Sequence, residues 1–480
     1  MSGGGLGRRA LGGASATLLW QGIRLCILAV SIVVLARLLD PRDYGYLAMV
    51  TAVIGLGELL RDLGLSMAAV QAKTLSHDEK SNLFWTNTGI GLFLAIAVFA
   101  SSWGIAAIYG EPALVSITQA LSVTFLLNGI AAQYKAQINR ELRFMALGVS
   151  EAAPQALGLV VAIVMAAGGA GYWALVAQAL TIAVLALLLD VLLAGWHPSA
   201  PDRTVSIRRF LRFGGALAAT QGIAYAAKNI DTVALGILFG PNIVGLYSRA
   251  FQLVVLPLNQ LTAPLSRVAV PVLSRISGDV ERFIEYIRTG QYVTVTLATV
   301  LYALLTGFSE PIITIVLGAR WLDAAPILQS LALVGVFRAL GQVPYWIFVS
   351  LGLTGKQLKI YLLTQPIVIV AILAGAPWGP IGVGIGGSIG YAIFWASQMW
   401  WAGRSSSLPA GSLTRSGLVT VVAVGAPIVI AGYVATQVIG TSLAIVIGFA
   451  VSLLWVVGLN LLVPAYRRRL KLISSLARPR

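Results

Sequence analysis

Runs of about twenty apolar residues follow one another along almost the whole chain, and that repetition sharply limits what it can fold into. Fourteen can be set out, at 14–36, 46–70, 83–109, 113–133, 149–168, 171–195, 211–239, 243–265, 290–317, 325–351, 357–376, 380–402, 416–437 and 441–463. A helix rising 1.5 Å per residue needs about twenty residues to cross the roughly 30 Å of hydrocarbon in a bilayer. Lipid offers the backbone no hydrogen-bond partners, so spanning segments are helices or closed barrels. Long continuous apolar runs, without the alternation of a barrel strand, read as helices. The expected fold class is an all-α polytopic membrane protein of about fourteen transmembrane helices. Charge agrees, since only 10% of the 480 residues are charged, against about a quarter in soluble domains. Arg8 and Arg9 precede the first run, which is too long for a signal-peptide core and reads as a retained first span.

The connections alternate in character. Those after odd-numbered runs are short turns such as Asp40-Pro41-Arg42-Asp43, Gly240-Pro241-Asn242 and Pro377-Trp378-Gly379-Pro380, whereas those after even-numbered runs are longer and basic. Of the 33 Lys and Arg residues, 25 fall on the side shared by the even connections and both tails. Three (Arg37, Arg42, Arg320) fall opposite, and five (Arg24, Arg61, Lys228, Arg249, Arg338) lie inside runs. An omitted span would scramble this pattern downstream. The positive-inside rule then places both termini in the cytoplasm. The net charge of +16 therefore reads as membrane orientation and not as nucleic-acid binding. No outer connection has room for a folded catalytic module. The single cysteine, Cys26, and the two histidines, His77 and His197, provide neither a disulfide nor a metal cluster. No catalytic residue, metal site or resident cofactor is expected.

An internal repeat appears when the chain is slid against itself by 200 residues. Arg8-Arg9 meets Arg208-Arg209, Gln21-Gly22-Ile23 meets Gln221-Gly222-Ile223, and Leu38, Pro41 and Gly45 meet Leu238, Pro241 and Gly245. In all, 12 of the 38 positions 8–45 are identical, against about three or four by chance for this composition. Six spans separate the repeats, so they run parallel, as in transporters whose halves rock about an axis along the membrane normal. The expected organisation is two pseudo-symmetric six-helix lobes, 1–200 and 201–403. A helix pair with a basic cytoplasmic tail follows at 404–480.

Ionisable groups at membrane depth are costly and tend to face a cavity or a partner. Arg24 lies mid-span, and Arg338 near the middle of the tenth run; neither has an acid within helical reach on its own run. Glu58, Arg61 and Asp62 share one face at i, i+3 and i+4, and form either a self-neutralised cluster or part of a cavity. Lys228 and Asp231, at i and i+3, are either an intrahelical pair or cavity groups. Arg249 either lines a cavity or extends to the outer interface. Basic members outnumber acidic ones, so a cavity lined by them suits an anion such as a phosphate or diphosphate, which arginine can grip with two donors. The acidic members could couple transport to protons or sodium, although no residue is singled out.

The stretch Gly382-Val383-Gly384-Ile385-Gly386-Gly387 formally matches a dinucleotide fingerprint, but no strand precedes it. Gly382, Gly386 and Gly390 repeat every four residues and predict a close helix-packing face instead. The basic segments 134–144 and 467–471 read as anchors on the inner leaflet.

Several segments resemble the polysaccharide exporters of the multidrug/oligosaccharidyl-lipid/polysaccharide flippase superfamily, most nearly the exopolysaccharide and colanic-acid branch. They are Leu39-Asp40-Pro41-Arg42-Asp43-Tyr44-Gly45, Asp62-Leu63-Gly64-Leu65 through Ala69-Val70-Gln71, and Arg140-Glu141-Leu142-Arg143-Phe144. The stretch from Gly245-Leu246-Tyr247-Ser248-Arg249-Ala250 to Val270-Pro271-Val272-Leu273-Ser274-Arg275 adds to them. The resemblance implies two six-helix lobes around a central cavity in the bacterial inner membrane. It implies a substrate, an oligosaccharide repeat unit on undecaprenyl diphosphate, flipped from the cytoplasmic to the periplasmic leaflet. It also implies membrane lipids and other polysaccharide-assembly proteins as neighbours. Arg24, Lys228 and Arg338, with Arg249, are the expected headgroup-binding residues. A drug or metabolite antiporter of the same superfamily is the alternative, and it would call for acidic and aromatic cavity groups. A polysaccharide polymerase or ligase would call for a large outer loop, which this sequence lacks.

Overall fold

The computed structural model describes residues 3–462 apart from 63, 73, 203, 206, 407, 439 and 440; the side chains of 3–16, 59, 60, 62, 68, 209, 211–224, 226, 227, 441–446, 460 and 462 lie outside the description. Helix dominates, and no strand occurs among the described residues. The helices are α1 (Gly3–Leu38), α2 (Pro41–Asp62), α3 (Leu65–Gln71), α4 (His77–Tyr109), α5 (Ala113–Arg140), α6 (Phe144–Ala167), α7 (Trp173–Ala194), α8 (Arg208–Arg275), α9 (Val280–Gly307), α10 (Ser309–Val316), α11 (Ala324–Leu340), α12 (Gln342–Ser350), α13 (Thr354–Gly375), α14 (Gly379–Ser405), α15 (Ala410–Val438) and α16 (Thr441–Leu462).

Ten stretches of the described residues are long and apolar enough to cross a membrane. Two of them, Lys228–Arg275 and Thr354–Ser405, each hold two helices joined at a break. The breaks use the same chemistry. Gly240 (φ 75°, ψ −173°) and Gly379 (φ 75°, ψ −165°) adopt a conformation that a Cβ disfavours, and each precedes a proline whose fixed φ starts the next helix. With α2 and the shorter apolar stretch Ile447–Leu459, this layout accommodates the expected fourteen spans.

The surface is that of a membrane protein. Leu192 (75% exposed), Val164, Phe93 and Val370 point outward, while Ser102, Thr118, Gln133 and Thr294 are fully buried. Lipid does not penalise an exposed leucine or phenylalanine, so large apolar side chains remain on the outer surface while these polar groups are turned away from it.

The described chain separates into two units, Met1–Gly245 and Leu246–Arg480. In the first, α4 packs on α5, α6 on α7, α5 on α7 and α1 on α6. Ser76 caps α4 by accepting from the Glu79 amide while the Glu79 carboxylate accepts from the Ser76 amide (3.1 and 3.0 Å), which satisfies two donors at once. Arg140 Nη1 donates to the carbonyls of Ala69 and Ala72 (both 2.7 Å) and so ties the C-terminal end of α3 to α5. The repeat-related residues also meet within this unit. A Cβ placed on Gly45 would run into the carbonyl of Pro241, and one on Gly245 into the carbonyl of Pro41. The two copies of the Pro-x-x-x-Gly element therefore pack reciprocally, and only glycine permits the approach.

In the second unit α13 packs on α14, α9 on α15, and α11 on both α9 and α14. The four-residue glycine stripe does what its spacing predicts. A Cβ on Gly382 would meet the Gly375 carbonyl, one on Gly386 the Ala371 carbonyl, and one on Gly390 would lie 2.9 Å from Val368 Cα. The stripe is thus the seam between α13 and α14, and no nucleotide loop forms there.

Candidate functional site

The first unit assembles its charges across helices. Arg24 on α1 donates through Nη1 to Glu151 Oε2 on α6, and Lys135 Nζ on α5 lies 2.7 Å from Glu151 Oε1. A carboxylate has two oxygens, so one acid here serves two cations from different helices. On α7, Asp190 is 2% exposed, and its Oδ1 is buried without a hydrogen-bond partner. Reasoning from sequence selects neither Glu151 nor Asp190. Each is the lone acid of its apolar run, 149–168 and 171–195, and that isolation is the signal that would have found them. Arg24 takes its counter-charge from a residue 127 positions away, which inspection of its own helix cannot reveal.

A second cluster closes on itself. Glu58 accepts from Arg61 Nε (2.9 Å) and from Asn128 Nδ2 (3.2 Å), while Arg61 Nη1 donates to the Asn128 carbonyl (2.9 Å). The three residues form a ring of hydrogen bonds that joins α2 to α5 and neutralises both charges in place. The Asp62 side chain lies outside the described residues.

On α8, Lys228 is exposed and forms no salt bridge with Asp231 among the described residues. Asp231 is 5% exposed and accepts from the Thr232 amide (2.7 Å) and hydroxyl (3.3 Å). In the second unit Arg249 Nη1 donates to Gln252 Oε1 at 2.6 Å.

Arg338, on α11, has surroundings of a different kind. Its guanidinium carbon stands 5.6 Å from the centroid of the Tyr391 ring. Tyr391 and Tyr361 each meet Phe394 edge-on, at 6.2 and 6.0 Å between centroids. No carboxylate pairs with Arg338 among the described residues. A ring face attracts the cation without consuming its N–H donors, so the planar fork stays chemically available to an anion. The structure thus brings Arg24 to Glu151 and Lys135, and Arg61 to Glu58. Among the described residues it forms no salt bridge between Lys228 and Asp231, and it sets Arg338 beside an aromatic ring with no carboxylate paired to it. Among the described residues no group of three or more His, Cys, Asp or Glu side chains is placed to hold a metal.

Comparison with known proteins adds an independent finding. The polysaccharide biosynthesis protein family matches residues 34–326. The chain is 27% identical over 382 residues to the lipopolysaccharide biosynthesis protein WzxC of Escherichia coli (strain K12), covering 76% of each chain. It is 29% identical over 291 residues to the teichuronic acid biosynthesis protein TuaB of Bacillus subtilis (strain 168), covering 59% of each. Among solved structures, the lipid II flippase MurJ in an inward closed conformation aligns with a TM-score of 0.69 at 14% identity, over 94% of this chain and 99% of that one. At that identity the likeness concerns the fold.

Proposed function

We propose that this chain, which belongs to the polysaccharide biosynthesis protein family, is a flippase of the bacterial inner membrane. Its substrate in this reading is an oligosaccharide repeat unit on undecaprenyl diphosphate, turned from the cytoplasmic to the periplasmic leaflet during exopolysaccharide or lipopolysaccharide assembly. The observation that carries the reading is Arg338, an arginine well inside the apolar stretch Ala324–Ser350, with an aromatic face beside it and, among the described residues, no carboxylate paired with it. A cation at that depth is costly, and an anionic headgroup supplies what the protein withholds. A diphosphate presents several acceptor oxygens, and a guanidinium meets two of them with parallel donors. Lys228, exposed and in no salt bridge among the described residues, is the second residue assigned to the headgroup.

The mechanism is alternating access between the repeat-related lobes, with both termini in the cytoplasm and a proton or sodium gradient as the drive. The chain acts as a transporter and not as an enzyme. The relatives support this reading, since the name of WzxC places it in lipopolysaccharide biosynthesis and that of MurJ describes a lipid flippase. An antiporter of cations would need an unpaired acid where Arg338 stands.

The test is deletion of the gene in its host and complementation with wild type, Arg338→Ala, Lys228→Ala or Arg24→Ala at matched membrane levels. Surface polymer and the leaflet that holds lipid-linked repeat units are both measured. Deletion is expected to remove the polymer and strand repeat units on the cytoplasmic side. Arg338→Ala is expected to lower flipping about ten- to a hundredfold, the range for losing one hydrogen-bonded charge contact. Unchanged polymer in the deletion strain, with no second flippase encoded, overturns the proposal. Rescue by all three variants retains the function and removes these residues from the site.

A further inference from the structure

A groove in the second unit plays no part in the transport reading. It lies between the end of α14 and the first turns of α15 and has a volume of about 730 Å³. Small residues create it: Gly403 faces Ala410 so closely that a Cβ at 403 would lie 2.6 Å from the alanine methyl. Arg404 and Arg415 line the groove beside Trp400, and Leu418 and Val419 extend it as an apolar wall. The Arg404 guanidinium carbon stands 5.7 Å from the Trp400 ring. Both arginines are exposed, and neither pairs with a carboxylate among the described residues.

The order of the chemistry along the groove is two unpaired cations, then an indole, then exposed aliphatic side chains. Tryptophan is favoured at the depth where headgroups give way to acyl chains, and arginines just beyond that level meet lipid phosphates. We infer that this groove binds an anionic phospholipid of the phosphatidylglycerol class, with its phosphodiester between Arg404 and Arg415 and an acyl chain along Leu418 and Val419. A free phosphate would leave the apolar wall unused and fill little of a groove of about 730 Å³. A zwitterionic lipid carries its own cation to the arginines and loses the charge complementarity. The site stands independently of what the protein transports.

The experiment uses the purified full-length chain in neutral detergent, with retained lipid read by native mass spectrometry and thermal stabilisation read alongside. The probes are phosphatidylglycerol, phosphatidylcholine and the chain-free headgroup glycerophosphoglycerol. Phosphatidylglycerol is expected to bind in preference to phosphatidylcholine. Arg404→Gln and Arg415→Gln should each weaken it about fivefold, and together about twenty-five-fold, the scale of one basic residue near a lipid headgroup. Val419→Trp should block the apolar wall and weaken binding with both arginines present. Circular dichroism and monodisperse elution separate lost binding from lost fold. Undiminished binding in the double variant overturns the inference, as does equal binding of phosphatidylcholine. Chain-free headgroup binding as tight as the lipid also overturns it. An equal loss in Arg275→Gln/Arg282→Gln, which lies outside the groove, would reduce the effect to diffuse surface charge.

Discussion

Alanine at Gly45 and at Gly245 tests the reciprocal crossing of the repeats. A methyl at Gly45 would collide with the Pro241 carbonyl and lie 2.8 Å from its Cα; at Gly245 it would collide with the Pro41 carbonyl and lie 2.6 Å from the carbonyl carbon. Carbon atoms in favourable contact are about 3.5–4.0 Å apart, so the two segments must separate by about an ångström. Overpacking of this kind costs about 1–3 kcal/mol, and the helix propensity gained by replacing glycine with alanine returns up to about 1 kcal/mol. Each single substitution should therefore destabilise by about 1–2 kcal/mol. Both methyls press on the same crossing, so a separation forced by the first partly relieves the second. The double variant should fall short of additivity by about 0.5–1 kcal/mol, within the range seen for residues in contact. Denaturant titration of the protein in micelles, followed by tryptophan fluorescence, measures the cycle. Gly104→Ala is the control, because nothing lies within 4 Å of a Cβ there, and it should be neutral or stabilising. Wild-type stability in Gly45→Ala, or strict additivity in the cycle, refutes the close crossing.

Glu151→Gln should destabilise the first unit by about 1–3 kcal/mol, because it leaves Arg24 and Lys135 facing each other without their shared carboxylate; added Arg24→Gln should recover part of the loss in the same titration. Arg140→Ala removes two charge-assisted bonds to the end of α3 and should cost about 1–3 kcal/mol. Hydrogen exchange should then quicken over Leu65–Gln71 while α4 keeps its protection.

The fold was legible because helices in lipid must be long, apolar and continuous, so their number and breaks are written in local sequence. Gly240-Pro241 and Gly379-Pro380 are turns by chemistry that involves no distant residue. The glycine stripe at 382, 386 and 390 was legible for the same reason, since spacing along one helix defines a face. The reciprocal contact of Gly45 and Gly245 needed one step more, and the repeat pairs those residues before the structure brings them together. The charges were read less well. Arg24 and Arg338 look alike in sequence, each without an acid on its own run. The structure separates them because the rotation of α6 turns Glu151 toward Arg24, whereas the helix packed beside Arg338 turns the Tyr391 ring toward it. Helix rotation is set by packing over the whole lobe, and one sequence carries no local mark of it.

That difference divides structural from functional arginines by the sign of a stability change. A residue kept for the fold loses stability when it is removed, as Arg24 should, since Glu151 would lose one of its cations. A residue kept for a ligand is an expense in the empty protein, because its charge is desolvated without a partner. Arg338→Met holds a similar volume, removes the desolvated charge and gives up only the contact with Tyr391, worth about 0.5–2 kcal/mol. The apo protein should therefore be as stable as wild type or more stable by about 1–2 kcal/mol, while surface polymer falls as it does for Arg338→Ala. Unfolding in micelles and polymer yield in the complemented strain report the two halves separately. A variant that is both less stable and still active would place Arg338 with Arg24 among the structural charges, and the anionic headgroup would then have to be gripped elsewhere.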